Sequence, residues 1–468
     1  MTETIRKNLN DHAWARWSAM LLIALMMLFA HMFVDVISPL KELIQVQRGW
    51  TSDVFGTYAG SEYLLNVWGF LIVAGIILDK MGLRFTGELS ALIMFAGACI
   101  KYYAISDAFI GSGLEAWLNS WWVAMPASAK LASLGFMIFG CGCEMAGITA
   151  SKAMAKWFEG KEMALAMGLE MALARVGVFF IFTISPRIAG IGGADPSVVR
   201  PVAFCTALLL IGVLCYTIFC VMDKKFDKQL GAAATGEPEE EFKISDIGKI
   251  FSSRLFWIVA MLCVLYYSAI FPFQKFAANM LQSNLGISAT AAADIFRWFP
   301  VGAACITPFL GWYLDRKGKG ATMLILGSLL MIICHTTFAL VLPAVPSKVI
   351  AFSAIIVLGI SFSLVPAALW PSIPKIMDKR YLGSAYSLIF WVQNFGLSGT
   401  PIIIGYALEK SNPGVAEQIA AGVEGATYNY TVPMLLFASL GVLALIFALW
   451  LKADDKRNHY GLEEPNIK

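Results

Sequence analysis

Charge is scarce in this sequence. Of its 468 residues only 14% are Asp, Glu, Lys or Arg, and the formal net charge is +3. A soluble domain carries about 25% charged residues. With no basic block and no acidic tail, the chain has no electrostatic footprint for nucleic acid. Histidine is rarer still, at 4 residues. There is no His-Glu-x-x-His pair for zinc and no Gly-x-x-x-x-Gly-Lys-Ser/Thr loop for nucleotide phosphates. Gly140-Cys-Gly-Cys-Glu-Met-Ala-Gly147 has the wrong spacing for a dinucleotide loop and lies inside an apolar run. An enzyme is not expected, nor is a cofactor or metal. Most of the nine cysteines, such as Cys99, Cys205, Cys215, Cys263 and Cys334, also lie in apolar runs. There the thiol behaves as a small apolar group. Cys141 and Cys143 lack the neighbouring His or Cys that a metal would need.

Long apolar runs are what the sequence does have. Hydrophobic residues make up 58% of the chain, and the mean hydropathy is +0.70. A helix needs about 20 apolar residues to cross the hydrocarbon core of a bilayer. Twelve runs of that size fall near 17–37, 54–78, 86–105, 128–151, 163–185, 202–221, 255–276, 289–313, 321–342, 348–370, 384–406 and 431–451. The first is too long for a signal-peptide core and ends without a small-residue cleavage site, so it reads as a permanent span. The polar stretch 222–253 splits the chain into an N-terminal bundle (1–221) and a C-terminal bundle with its tail (254–468). Its composition is that of a flexible or partly amphipathic central loop.

An even number of spans puts both termini on one side. Lys and Arg crowd that side: Arg6, Lys7, Arg16, Lys80, Arg84, Lys152, Lys156 and Lys161, then the clusters 224–254, 316–319, 375–380 and 452–468. The other side is sparser, with Lys41, Arg48, Lys101, Lys130, Arg187, Arg200, Lys275, Lys348 and Lys410. This bias places both termini of a multi-pass membrane protein in the cytoplasm. The expected membrane is a bacterial inner membrane, or a lysosomal-type membrane in a eukaryotic host.

One motif occurs twice. Gly75-Ile-Ile-Leu-Asp79-Lys-Met-Gly82-Leu-Arg84 ends the second run, and Gly311-Trp-Tyr-Leu-Asp315-Arg316-Lys317-Gly318-Lys319 ends the eighth. Glycine lets helices approach closely. The acid can pair with a base or a helix N-terminus at the cytoplasmic face. Asp79, Arg84, Asp315 and Arg316 are therefore candidate gating residues. The duplicated loop resembles the signature of the major facilitator superfamily. The resemblance implies an all-α membrane protein of twelve transmembrane helices, in two pseudo-symmetric six-helix bundles around a central cavity, working by alternating access.

Charges inside spans are costly, about 2.5–3.5 kcal/mol each on insertion scales. Yet Glu144 sits in the fourth run and Arg175 in the fifth, with Glu170 before it. Asp35 lies near the outer end of the first run, Glu62 in the second, and Asp294 and Arg297 at the start of the eighth. Glu144 and Arg175 read either as a dry structural ion pair or as a site for a solute carrying both charge signs. His31 and His335 read as satisfied core residues.

A closer resemblance lies in Gly142-Cys-Glu144, Trp157-Phe158 and Ala174-Arg175, in Tyr266-Tyr267 and Phe271-Pro272-Phe273, in Pro366 and Trp370-Pro371, and in Leu382-Gly383-Ser-Ala385-Tyr386 and Gln393-Asn394-Phe-Gly396. Together these are similar to the major facilitator superfamily domain-containing protein 1 group (MFSD1), known from a lysosomal exporter of dipeptides. The resemblance implies that Glu144 contacts the peptide ammonium and Arg175 its carboxylate. That suits the chemistry, since a guanidinium grips a carboxylate with two parallel bonds. Two residues span only about 7 Å when extended, so such a clamp caps peptide length. Tyr266, Tyr267, Trp370, Trp391, Gln393 and Asn394 are candidates for the opposing wall. Asp35 and Glu144 are candidates for carrying a coupling proton. The segment after Glu144 reads Met-Ala-Gly-Ile, so side-chain preference can differ from the group's.

The expected function is a secondary transporter, uniporter or symporter, whose partners are a short peptide, the lipid bilayer and, if coupled, protons. The alternatives are a proton-coupled carrier of an organic anion or sugar, or a non-transporting membrane sensor of the same fold.

Overall fold

The computed structural model describes residues 8–159, 161–230, 244–377 and 382–465. Arg6, Lys7, Lys243, Lys379, Arg380 and Lys468 of the charge pattern, and residues 231–243 of the central connector, lie outside the described residues. Among the described residues every regular element is helical. In lipid, only a helix or a closed barrel satisfies its own backbone.

Among the described residues, ten helices are long and apolar enough to span a bilayer. They include Ala13–Arg48, Ala127–Trp157, Leu165–Ile188, Val199–Gln229, Arg254–Leu285, Gly320–Ala344, Lys348–Ile376, Ser384–Ser411 and Thr431–Asn458. The remaining two crossings are interrupted. The second consists of Ser52–Ser61, Leu64–Val67 and the start of Phe70–Ile105, and the eighth of Ala289–Phe296 and Phe299–Lys317. The third crossing is the rest of Phe70–Ile105, which folds back on itself at Gly82 (φ 79°, ψ 173°). Twelve crossings result, at the twelve apolar runs.

The repeat holds at the level of backbone angles. Gly82 and Gly318 occupy equivalent places in the two signature loops, and both have positive φ, 79° and 70°. Residues with a Cβ rarely adopt such positive φ, which glycine reaches without strain. The sixth helix continues to Leu230, beyond residue 221, and Ile244–Phe251 forms a short helix before the seventh crossing.

The two halves join on the side away from the termini. Crossings two and eleven meet through Gly56 and Gly405. A Cβ on Gly56 would collide with the Pro401 carbonyl, and one on Gly405 with that of Ser52. Close by, the Ser52 amide donates to Glu409 (3.0 Å), and Tyr428 donates to Gln45 (3.1 Å). Arg187 on the fifth crossing pairs with Asp294 on the eighth at 2.8 Å. On the terminus side, several ion pairs lie within one half. Arg16 binds Glu162 (3.0 Å) and Lys161 binds Asp11 (2.9 Å). In the C-terminal half Arg254 binds Asp454, and Lys319 reaches Glu463.

Candidate functional site

Near the centre of the second crossing the helix breaks twice, at Glu62–Tyr63 and at Trp68–Gly69. A break releases carbonyls that the helix would otherwise bond. The C-terminal half supplies their donors: Ser398 Oγ reaches the Gly60 carbonyl at 2.9 Å, and Trp391 Nε1 the Val67 carbonyl at 2.9 Å. The fourth crossing touches the same region, since a Cβ on Gly140 would collide with the Glu62 carbonyl. Glu144 lies one turn further in on the fourth crossing. It is half-buried, with Glu62 and Tyr63 as electrostatic neighbours. Among the described residues its carboxylate has no hydrogen-bond or ion-pair partner.

Arg175 is not locked to Glu144. It reaches across to the C-terminal half, where Nη1 lies 3.4 Å from Thr307 Oγ1 and the guanidinium carbon 5.5 Å from the centre of the Phe362 ring. Thr307 is fixed in turn by Ser363 (3.1 Å). Arg175 therefore sits at the contact between the halves.

Behind Phe362 stands an aromatic wall from crossings seven, ten and eleven. Tyr267 stacks on Phe271 (5.6 Å) and meets Phe362 edge-on. Trp370 donates from Nε1 to the Tyr267 hydroxyl (3.3 Å) and stacks on Phe390 at 4.7 Å. Tyr386 donates to the Trp370 carbonyl at 3.2 Å. That carbonyl has no helical donor because the residue four positions on is Pro374, which lacks an N–H. Tyr267, Trp370 and Trp391 are half-buried. Such rings give a large apolar contact with little shape preference.

The structure places other candidates elsewhere. Tyr266 is buried inside its own bundle, donating to the Leu324 carbonyl (2.7 Å) beside Ser328 (2.9 Å). It is a packing residue. Gln393 is 6% exposed and accepts from Cys263 within the same half. Asn394 donates to the Phe390 carbonyl (2.8 Å), and its Oδ1 is buried without a partner.

Asp35 is engaged rather than free. Lys275 on the seventh crossing inserts into the N-terminal half, with Nζ 3.2 Å from Asp35, 3.2 Å from Glu62 and 3.0 Å from the Val34 carbonyl. Ser38 also donates to Asp35 at 2.9 Å. Lys101 lies behind this cluster at 0% exposure, its ammonium 4.2 Å from the Phe33 ring centre and 4.4 Å from that of Phe136. Lys41, Lys101 and Lys275, which the charge pattern counts on the far side, are all buried. The sequence does carry the signal for two of them. Lys101 and Lys275 fall within apolar runs, and two intramembrane acids require cations to balance them. Asn66, between the two breaks of the second crossing, also escapes the sequence reading.

The N-terminal signature loop holds ion pairs within its own half. Asp79 binds Lys152 at 3.0 Å. Arg84 bonds Asp223 (3.0 Å) and Asp227 at the end of the sixth crossing, and both acids are shared with Lys156. Trp157 Nε1 also donates to Asp223 (2.9 Å). Arg316 lies over the Trp312 ring at 5.3 Å, and Asp315 likewise has an interaction partner.

Comparison with known proteins agrees with this architecture. The model of the Major Facilitator Superfamily matches residues 20–401 and again 275–466. The lysosomal dipeptide transporter MFSD1 of Danio rerio is 26% identical over 376 residues, covering 79% of this chain and 75% of that protein. That of Homo sapiens is 27% identical over 294 residues, covering 60% of each. The aligned region is thus about three fifths of the human protein's length. Among solved structures, a bacterial homologue of the human lysosomal transporter Spinster, inward-facing and occupied, superposes with a TM-score of 0.68 at 16% identity, covering 94% of this chain and 97% of that one. The nucleoside transporter NupG gives 0.65 at 14% identity, covering 93% of this chain and 99% of that one.

Proposed function

The chain belongs to the major facilitator superfamily, and from that premise we propose that this multi-pass membrane transporter carries short peptides, dipeptides above all, by alternating access. The observation that carries this reading is the separation of Glu144 from Arg175. Both side chains lie at mid-span, Arg175 at the contact between the halves and Glu144 beside the broken second crossing, yet they do not neutralise each other. A dipeptide presents an ammonium and a carboxylate about 7 Å apart at full extension. It supplies the charge that each residue lacks. The aromatic wall of Tyr267, Phe362 and Trp370 then receives side chains of many shapes. The dipeptide transport named for the MFSD1 relatives supports the same substrate class.

The structure is joined on the far side, where Lys275, Asp35 and Glu62 meet. With both termini cytoplasmic, this is the conformation that loads or releases solute at the cytoplasmic face. Asp79, Arg84, Asp315 and Arg316 act at that face, trading their present partners for contacts between the halves when it closes. Of the two candidates for a coupling proton, Asp35 is committed to Lys275, which leaves Glu144. Transport without proton movement makes the carrier a uniporter.

The test is thermal stabilisation of the purified protein by dipeptides, tripeptides, amino acids, sugars and dicarboxylates, followed by uptake into liposomes. Dipeptides are expected to raise the melting temperature of the wild type. Glu144→Gln and Arg175→Ala should lose that response while remaining folded. Stabilisation by sugars or dicarboxylates alone would overturn the assignment.

A further inference from the structure

Asn66 has no visible employment in the fold. It is 1% exposed, and among the described residues neither its amide nitrogen nor its amide oxygen has a hydrogen-bond partner. Buried polar groups are almost always bonded, and an unmade bond in a dry interior is costly. The residue occupies the single turn Leu64–Val67, between the break at Glu62–Tyr63 and the break at Gly69, whose φ is 94°. Interrupted membrane helices near mid-depth mark solute sites in transporters.

Its neighbours fix where it sits. The second and fourth crossings run in the same direction and touch at Glu62 and Gly140. One turn further in on each lie Asn66 and Glu144, so the two share a level. On its other side is the eleventh crossing, where Trp391 bonds the Val67 carbonyl and the Oδ1 of Asn394 is a second buried acceptor without a partner.

We propose that Asn66 is the residue that reads the peptide bond of the solute, its carboxamide exchanging a donor and an acceptor with the N–H and C=O of the single amide between Glu144 and Arg175. The inference rests on the dipeptide reading and deepens it. Clamps on the two termini recognise any zwitterion of the right length. An amide facing an amide recognises a peptide, because a carboxamide offers one acceptor and two N–H donors, the complement of a peptide group. In the present conformation the eleventh crossing covers Asn66. Movement of that crossing against the second uncovers it.

The experiment measures binding of alanyl-alanine and of its analogue with an N-methylated peptide bond, to the full chain in nanodiscs, by wild type, Asn66→Leu and Asn66→Ala. N-methylation removes the donor and leaves both termini. A site built to hydrogen-bond a group rejects an analogue lacking it strongly. Wild type is therefore expected to prefer alanyl-alanine by about tenfold or more. Both variants should bind alanyl-alanine about tenfold more weakly, lose less toward the methylated analogue, which has only its C=O bond left to lose, and so narrow the preference. A structural role alone would alter melting temperature and leave the ratio of the two affinities intact. A preference retained in full in a folded variant overturns the inference and leaves the dipeptide reading standing, as does a wild type that binds both probes equally. If wild type binds neither probe, both readings fall. Should Asn66→Leu fail to fold, Asn66→Ala, which adds no bulk, decides.

Discussion

Lys275→Met removes one cation from a cluster that joins the two halves on the far side. At 3.2 Å and an effective dielectric constant of about 20, each of Asp35 and Glu62 attracts that ammonium by about 5 kcal/mol. Desolvation of the three ions offsets much of this. Breaking a buried pair by removing one partner nonetheless costs about 3–5 kcal/mol, because the remaining charges stay buried. The contact exists only while the far side is closed, so the loss falls on that conformation. At 1.4 kcal/mol per tenfold, a loss of about 3 kcal/mol changes the ratio of closed to open forms by roughly a hundredfold. Hydrogen exchange followed by mass spectrometry reads this directly. Amides in 52–61 and 398–411, which face each other across the halves, should exchange faster in the variant, while those of the terminus-side helix ends should not. Adding Asp35→Asn and Glu62→Gln should restore part of the protection, because the two acids then carry no charge that lacks the Lys275 ammonium. Unchanged exchange in both segments of Lys275→Met would refute the argument that this cluster holds the far side shut.

Gly56→Leu should wedge crossings two and eleven apart, abolishing liposome transport while the protein still purifies as a folded monodisperse species; normal flux would show that the glycine contact is dispensable. Gly82→Ala and Gly318→Ala should each destabilise by about 1–3 kcal/mol, because both glycines hold backbone angles that other residues rarely adopt. Thermal melts of the two variants test the equivalence of the signature loops, and a cost at only one loop would argue against it. Tyr266→Phe should cost about 1 kcal/mol through its lost hydrogen bonds and leave dipeptide affinity unchanged, whereas Trp370→Ala should weaken dipeptide binding severalfold in the same titration. Hydrogen bonds from Lys161 and from Arg16 hold the Asp11 and Glu162 carboxyls below their ordinary values of 3.8 and 4.5. Their small contribution to anchoring residues 8–16 is therefore full above those values and is lost as pH falls through the lower folded ones. Exchange in 8–16 should be unchanged between pH 8 and 5 after correction for intrinsic rate, and should rise toward pH 3.

Much of this protein was legible in its sequence because lipid imposes a simple code. Runs of about 20 apolar residues mark crossings, and the twelve runs are where the crossings lie. The duplicated Gly-x-x-x-Asp loop announced the repeat, and the structure deepened it through the matching positive φ of Gly82 and Gly318. Glu144 and Arg175 stood out because charge inside a span demands an explanation. Pairing was a different matter. Nothing in the local sequence says that Tyr266 turns into its own bundle while Tyr267, its neighbour, meets Phe362 and Trp370, for adjacent residues on a helix point about 100° apart and only packing decides which faces the centre. Nor does the apolar run around Lys275 say which acids it meets, since its partners lie more than two hundred residues away in the chain. Composition and spacing determined that the chain crosses a membrane twelve times as a repeated unit. The choice of partners across the two halves, with Lys275 against Asp35 and Glu62 and Arg175 held away from Glu144, belonged to the tertiary structure, because electrostatic neighbours inside a membrane are set by helix packing in three dimensions.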